Sequence, residues 1–152
     1  MMNNACIRFS PKKYVELEIG EEIKLTTVID GIKEEYNGIN RKNIWNNPDI
    51  TQQMSAETLC AEDDIIDYDY LCFVVTDTTN SLEVEQWVET APMKETYGQF
   101  ILSFNDDNKL YGRKVYRTAG NIKNSTAVYE LGATTQNKDV CIIKSVDVVK
   151  VK

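Results

Sequence analysis

The sequence predicts a mainly β protein, an antiparallel β-sandwich or jelly-roll-like domain, with a short helix around residues 50–61 as the one exception. Apolar and charged residues alternate with a period of two, as in residues 15–19 and 23–26. Such alternation places apolar side chains on one sheet face and charges on the other, which is typical of antiparallel sheets. Short turn signals rich in Asn, Asp and Gly separate these segments, and such residues close hairpins readily.

The clearest hairpin is predicted between residues 25–29 and 32–36, with Asp30 and Gly31 as its turn. Further Asn-rich or Gly-rich turns at 105–108 and 120–121 divide the C-terminal third into short strands. In the segment before them, Leu82, Val84 and Trp87 are expected to face the core from one strand.

The helix is expected where the alternation stops. Ile50, Met54 and Leu59 provide apolar residues at roughly helical spacing, and Thr51 or Ser55 provides a capping hydroxyl. The acidic residues that follow predict a solvated loop.

The length of 152 residues predicts one compact β-rich unit over residues 1–152. The charge is uneven along it. Residues 1–76 carry 7 basic and 14 acidic side chains, whereas residues 77–152 carry 10 of each. This break predicts a soft division into an acidic docking part, 1–66, and a β-sandwich part, 67–152.

Several classes of function are disfavoured by composition. The chain contains no histidine, which removes His-based catalysis and His-ligated metals. A net charge of −7 argues against binding to nucleic acid or to an anionic membrane. There is no CxxC pair, no glycine-rich phosphate loop and no apolar run long enough for a membrane span. We therefore expect no enzyme activity, no cofactor and no membrane insertion, and four reduced cysteines in a chain made without a signal peptide.

An acidic segment offers the only metal candidates. Oxygen ligands suit Ca²⁺ or Mg²⁺, but the spacing lacks the glycine and terminal glutamate of an EF-hand loop, so a solvated loop is the favoured interpretation. The four weak candidates are Asp63, Asp64, Asp67 and Asp69.

The binding candidates are aromatic and basic. Trp45 lies in an Asn-rich segment with no core pattern, which favours an exposed contact with a partner or ligand. Tyr111, Arg113, Tyr116 and Arg117 form a basic and aromatic run that could contact phosphate or sugar. Alternating Lys and Tyr positions also occur on the solvated face of an ordinary strand.

The C-terminal third carries a family resemblance. The run LYGRKVYR over residues 110–117 precedes a Gly-Asn turn at 120–121, a strand over 126–132 that ends in glycine, and a final strand within 139–151. This order resembles the C-terminal β-domains of bacteriophage tail-fibre and related attachment proteins, over residues 105–151. The proline usual after the glycine turn is missing, and Glu130 or Leu131 replaces the usual histidine, so no residue role is carried over.

The resemblance implies a non-enzymatic virion structural protein, a component of a fibre, a baseplate or a capsid decoration. Its expected partners are other virion proteins and further copies of itself, with a trimer favoured, and a host-surface glycan is a further candidate. The expected location is the virion, after synthesis in the host cytoplasm. The alternative is an acidic intracellular inhibitor or immunity-type protein that masks a basic partner, because acidic surfaces steer basic partners.

Overall fold

The fold is mainly antiparallel β, as predicted. The computed structural model describes residues 3–10, 13–19, 23–29, 32–37 and 40–151. The chain forms two compact units, residues 1–40 with 150–152, and residues 41–149. The predicted division between residues 66 and 67 falls inside the second unit, because strands from both sides of it pair in the same sheets.

The first unit contains a four-stranded antiparallel sheet in the order β1-β2-β3-β4. Its register places Leu17 opposite Leu25, so the alternating apolar positions of neighbouring strands fall in line. The predicted hairpin is present, while its turn at Asp30 and Gly31 lies outside the described residues. The strands are β1 (Asn3–Ser10), β2 (Lys13–Ile19), β3 (Ile23–Ile29) and β4 (Ile32–Asn37).

The second unit is built on two four-stranded sheets, one ordered β6-β11-β10-β9 and the other β5-β12-β7-β8. Two short 3-10 turns, Glu62–Asp64 and Ala91–Lys94, join strands, and no helix of the described part could span a membrane. The strands are β5 (Asn40–Asn46), β6 (Thr58–Ala61), β7 (Tyr70–Thr76), β8 (Val84–Glu89), β9 (Gln99–Asp106), β10 (Lys109–Thr118), β11 (Asn121–Glu130) and β12 (Ile142–Lys150).

Both sheets of the second unit contribute to one apolar core, which makes it a β-sandwich. Leu71, Phe73 and Val75 alternate along β7 and are fully buried. The Phe73 ring meets Phe100 of the other sheet edge-on, with ring centroids 5.3 Å apart. Each fully buried large apolar side chain contributes about 1.5–3 kcal/mol, so these alternating rows hold the two sheets together.

Two tight hairpins connect β9, β10 and β11. Asp107 and Asn108 have φ of 46° and 62°, and Ala119 and Gly120 have φ of 48° and 75°. Two consecutive left-handed residues give the type I′ geometry, whose twist matches that of paired strands. The turn signals near 105–108 and 120–121 therefore predicted these connections correctly.

The helix predicted around residues 50–61 is wrong. Residues 58–61 are the strand β6, which pairs with β11. Before it, the Asn124 side chain accepts a hydrogen bond from Glu57 N at 3.1 Å and donates one to Ser55 O at 2.8 Å. The Ala56 N–H donates to the Thr126 hydroxyl. Because β11 side chains bond these backbone groups, the backbone groups do not form the hydrogen bonds of a helix.

Replacing Asn124 tests this attachment. Its side chain is completely buried, so Asn124→Ala leaves backbone groups without partners and should cost about 2–3 kcal/mol of unfolding free energy. Urea denaturation measures the loss. Asn121→Ala, on the same strand, removes a single bond to Ala119 O and should cost about 1 kcal/mol or less. Equal losses in the two variants would contradict the assignment.

Candidate functional site

The predicted basic and aromatic binding run does not form one surface. Tyr111 and Arg113 point inward from β10 and are buried, so they are wrong as contact residues. Tyr116 is partly exposed, while Arg117 bonds the Glu62 carboxylate. The reason is the alternation of β10, where residues 111, 113 and 115 all face the core.

Arg113 is a structural clamp within the core. Its Nε donates to Cys141 O at 2.7 Å, and its Nη1 donates to Ser125 O at 2.5 Å and more weakly to Met54 O at 3.4 Å. Within the described residues, its Nη2 is the one buried side-chain nitrogen without a partner. Burial removes water from the guanidinium and so lowers the pKa of Arg113. One side chain thus joins three separate segments.

Replacing Arg113 and Arg117 by alanine, one at a time, should distinguish the buried clamp from the partly exposed ion pair. Arg113→Ala leaves a cavity and frees two strongly bonded carbonyls, so it should cost about 3–5 kcal/mol of unfolding free energy. Arg117→Ala removes a partly exposed ion pair and should cost about 1 kcal/mol or less. Chemical denaturation of both variants provides the comparison, and a small loss for Arg113→Ala would contradict the clamp.

The burial of the two tryptophans is the reverse of what the sequence predicts. Trp45 is partly buried and packs against the core, so it is not the exposed contact that was predicted. Trp87 and Leu82, which were both predicted to face the core, are 41% and 49% exposed. Val84 and Trp87 are three residues apart on β8, so they point to opposite faces of the sheet.

Trp87 belongs to a polar network on the outer face of sheet β5-β12-β7-β8. Its indole N–H donates to Glu85 at 2.6 Å, and Glu85 accepts from Arg41 at 3.0 Å. Arg41 and Asn43 both donate to Asp147, at 2.5 and 2.7 Å. The bonds from Trp87 and then Arg41 lower the pKa of Glu85, while the bond to Asp147 raises the pKa of Arg41. The Glu85 carboxylate is therefore held ionised as a structural acceptor.

The cysteines of the second unit are buried thiols. Burial raises the pKa of Cys60 and of Cys72 to about 12, and that of Cys141 to about 11. Thiolates are the reactive form, so these three are poor nucleophiles at neutral pH. Cys6 of the first unit is exposed, and none of the four forms a disulfide.

Thiol labelling at pH 8 should therefore show one fast cysteine. Cys6 should react fast because it is exposed. The other three should react about a hundredfold or more slowly, because their raised pKa values reduce the thiolate fraction. Mass spectrometry after timed alkylation measures this, with Cys6→Ser as the control that lacks the fast site. Rapid labelling of Cys72 or Cys141 would contradict the structure.

The carboxylates of the acidic loop do not lie close together as a metal site would require. Asp64 accepts a hydrogen bond from the Ala61 N–H at 2.9 Å and so closes the turn after β6. Among the residues that the structure describes, no three Cys, Asp or Glu side chains group closely enough to hold a metal ion. The weak candidates Asp63, Asp64, Asp67 and Asp69 are therefore not brought together as a metal site.

An apolar patch lies on the outer face of sheet β6-β11-β10-β9. Ile101, Leu110, Tyr129 and Leu131 are 53%, 47%, 44% and 46% exposed. They surround Gly112, where an added Cβ would lie 2.6 Å from Ile101 Cγ2 and 2.8 Å from Leu131 Cδ2. Contiguous exposed apolar patches mark interaction sites more often than single exposed residues do.

The patch was missed at the sequence level, although its signal was present. Leu102 and Phe104 are core residues on β9, so Ile101 must face outward. The register then places Tyr129 opposite Gly112, and the Leu131 N–H donates to Leu110 O at 2.7 Å. The alternation within each strand already shows which side chains face outward. Which of these side chains lie next to each other on neighbouring strands is known only from the register.

Comparison of the chain with protein-family models, with curated proteins and with solved structures finds no match. The resemblance of residues 105–151 to tail-fibre domains stays a prediction.

Proposed function

We propose that this chain is a non-enzymatic structural protein that acts by surface contact, as a component of a bacteriophage particle. The apolar patch around Gly112 is the observation that carries the proposal. It consists of four large side chains, each about half exposed, on one face of a sheet. Burying such a patch against another protein releases ordered water and favours association.

The polar groups of the sandwich support a structural role, because they are used within the fold. Arg113 bonds backbone carbonyls, and Asp147 bonds Arg41 and Asn43. Burial alone would raise the pKa of Asp77, but hydrogen bonds from Ser81 and Thr79 hold it below its ordinary value. These groups stabilise loops and strands, which is the chemistry of a scaffold.

The particle context rests on the resemblance, which covers β10 to β12 and includes Leu110, Tyr129 and Leu131 of the patch. In this proposal the chain is made in the host cytoplasm and joins other virion proteins, as part of a fibre, a baseplate or a capsid decoration. Contact with a host-surface glycan is a further part of the proposal that no particular residue carries.

Complementation of a phage that lacks its own copy of this chain tests the function. The wild-type chain, supplied from a plasmid, should co-sediment with purified particles in a fixed copy number, which quantitative mass spectrometry measures. A chain absent from particles would contradict the proposal. If it were instead captured by a basic host or phage protein in a salt-sensitive complex, the inhibitor alternative would be favoured.

A further inference from the structure

The face that carries the apolar patch has a charge polarity along its strands. At one end, the turn of the β9–β10 hairpin carries the exposed Asp107. The register turns Asp106, Lys109 and Glu130 to the other side of the sheet. Within residues 40–151, Asp107 forms no salt bridge. This end of the face is therefore acidic.

The other end of the same face is basic. Lys114 lies opposite Ile101 in the register, and Lys123 lies opposite Tyr116. Neither lysine forms a salt bridge with any residue of the described second unit, and Lys114 Nζ lies 5.6 Å from the centre of the Tyr116 ring. The face thus runs from acidic through apolar to basic.

This order makes the face complementary to itself under a twofold rotation. Leu110 and Gly112 lie about midway between Asp107 and Lys114 along the chain. If two copies pack face to face with antiparallel strands, patch meets patch, and the acidic tip of each copy meets the lysines of the other. A twofold interface requires this self-complementarity, because the same surface serves both partners.

At the β9 edge of this sheet, contact by the face is favoured over contact by strand addition. β9 is an edge strand, but the Gln86 side chain of β8 occupies its open side. Gln86 Nε2 donates to Ser103 O at 2.6 Å, and Gln86 Oε1 accepts from Ser103 N at 2.9 Å. A protected edge of this kind discourages pairing with a strand of another chain.

We propose that a second copy of this chain covers the patch, in a twofold dimer held by Ile101, Leu110, Tyr129 and Leu131 and oriented by contacts between Asp107 and Lys114. This inference rests on the proposed function, since it names the partner of the same surface. A typical largest patch is roughly 300–600 Å², whereas a stable interface buries about 800 Å² per partner. The charged ends must therefore supply the remaining contact, and the dimer dissociates on dilution.

Sedimentation equilibrium of designed variants tests the dimer. Leu131→Glu should abolish the two-chain mass, whereas Leu82→Glu, at a residue 49% exposed outside the patch, should keep it. Asp107→Lys and Lys114→Glu should each weaken association about tenfold or more, since like charges then meet at both ends. The double variant should restore it. Circular dichroism checks that every variant is folded.

Three outcomes overturn the dimer. One is a single-chain mass at every concentration, another is a two-chain mass that Leu131→Glu leaves intact, and the third is a three-chain mass. Particle incorporation distinguishes this failure from that of the proposed function. A chain that enters particles but is monomeric or trimeric in solution contradicts the dimer alone. A chain that stays monomeric and is absent from particles contradicts both.

Discussion

The sandwich depends on one buried charge held by neutral oxygens. Arg113 reaches from β10 to the carbonyls of Cys141 and Ser125, and more weakly to that of Met54, which places a single side chain between segments distant in sequence. A buried guanidinium is costly unless hydrogen bonds compensate it, so the carbonyls that accept from Nε and Nη1 must be presented at fixed positions. The loop before β12 and the segment before β6 are both constrained in this way.

The outer faces of the two sheets of the second unit carry different chemistry. The β5-β12-β7-β8 face binds its own charges into a network from Trp87 to Asp147, which leaves its carboxylates satisfied. The β6-β11-β10-β9 face exposes apolar side chains around Gly112. These side chains are removed from water only when another surface covers them. This difference is why we propose the β6-β11-β10-β9 face as the contact surface.

The sequence predicted the fold class because alternation with period two is a local property of each strand. It failed where distant groups decide the outcome. The Asn124 side chain bonds backbone groups of Ser55 and Glu57. The buried Arg113 bonds carbonyls of residues 12 to 59 positions away in the sequence. Trp87 is a different case, because it lies an odd number of residues from Val84 on the same strand. The sequence alone therefore places its side chain on the face opposite to that of Val84. The patch needed the strand register, which no local pattern supplies.

Methyl NMR over a concentration series can test the claim that the chain works through this apolar face. Methyl signals of Ile101, Leu110 and Leu131 should shift as concentration rises. Those of Ile66 and Leu82, which are 57% and 49% exposed elsewhere, should stay fixed. Shifts confined to Ile66 and Leu82, or no shift at any concentration, would contradict the claim.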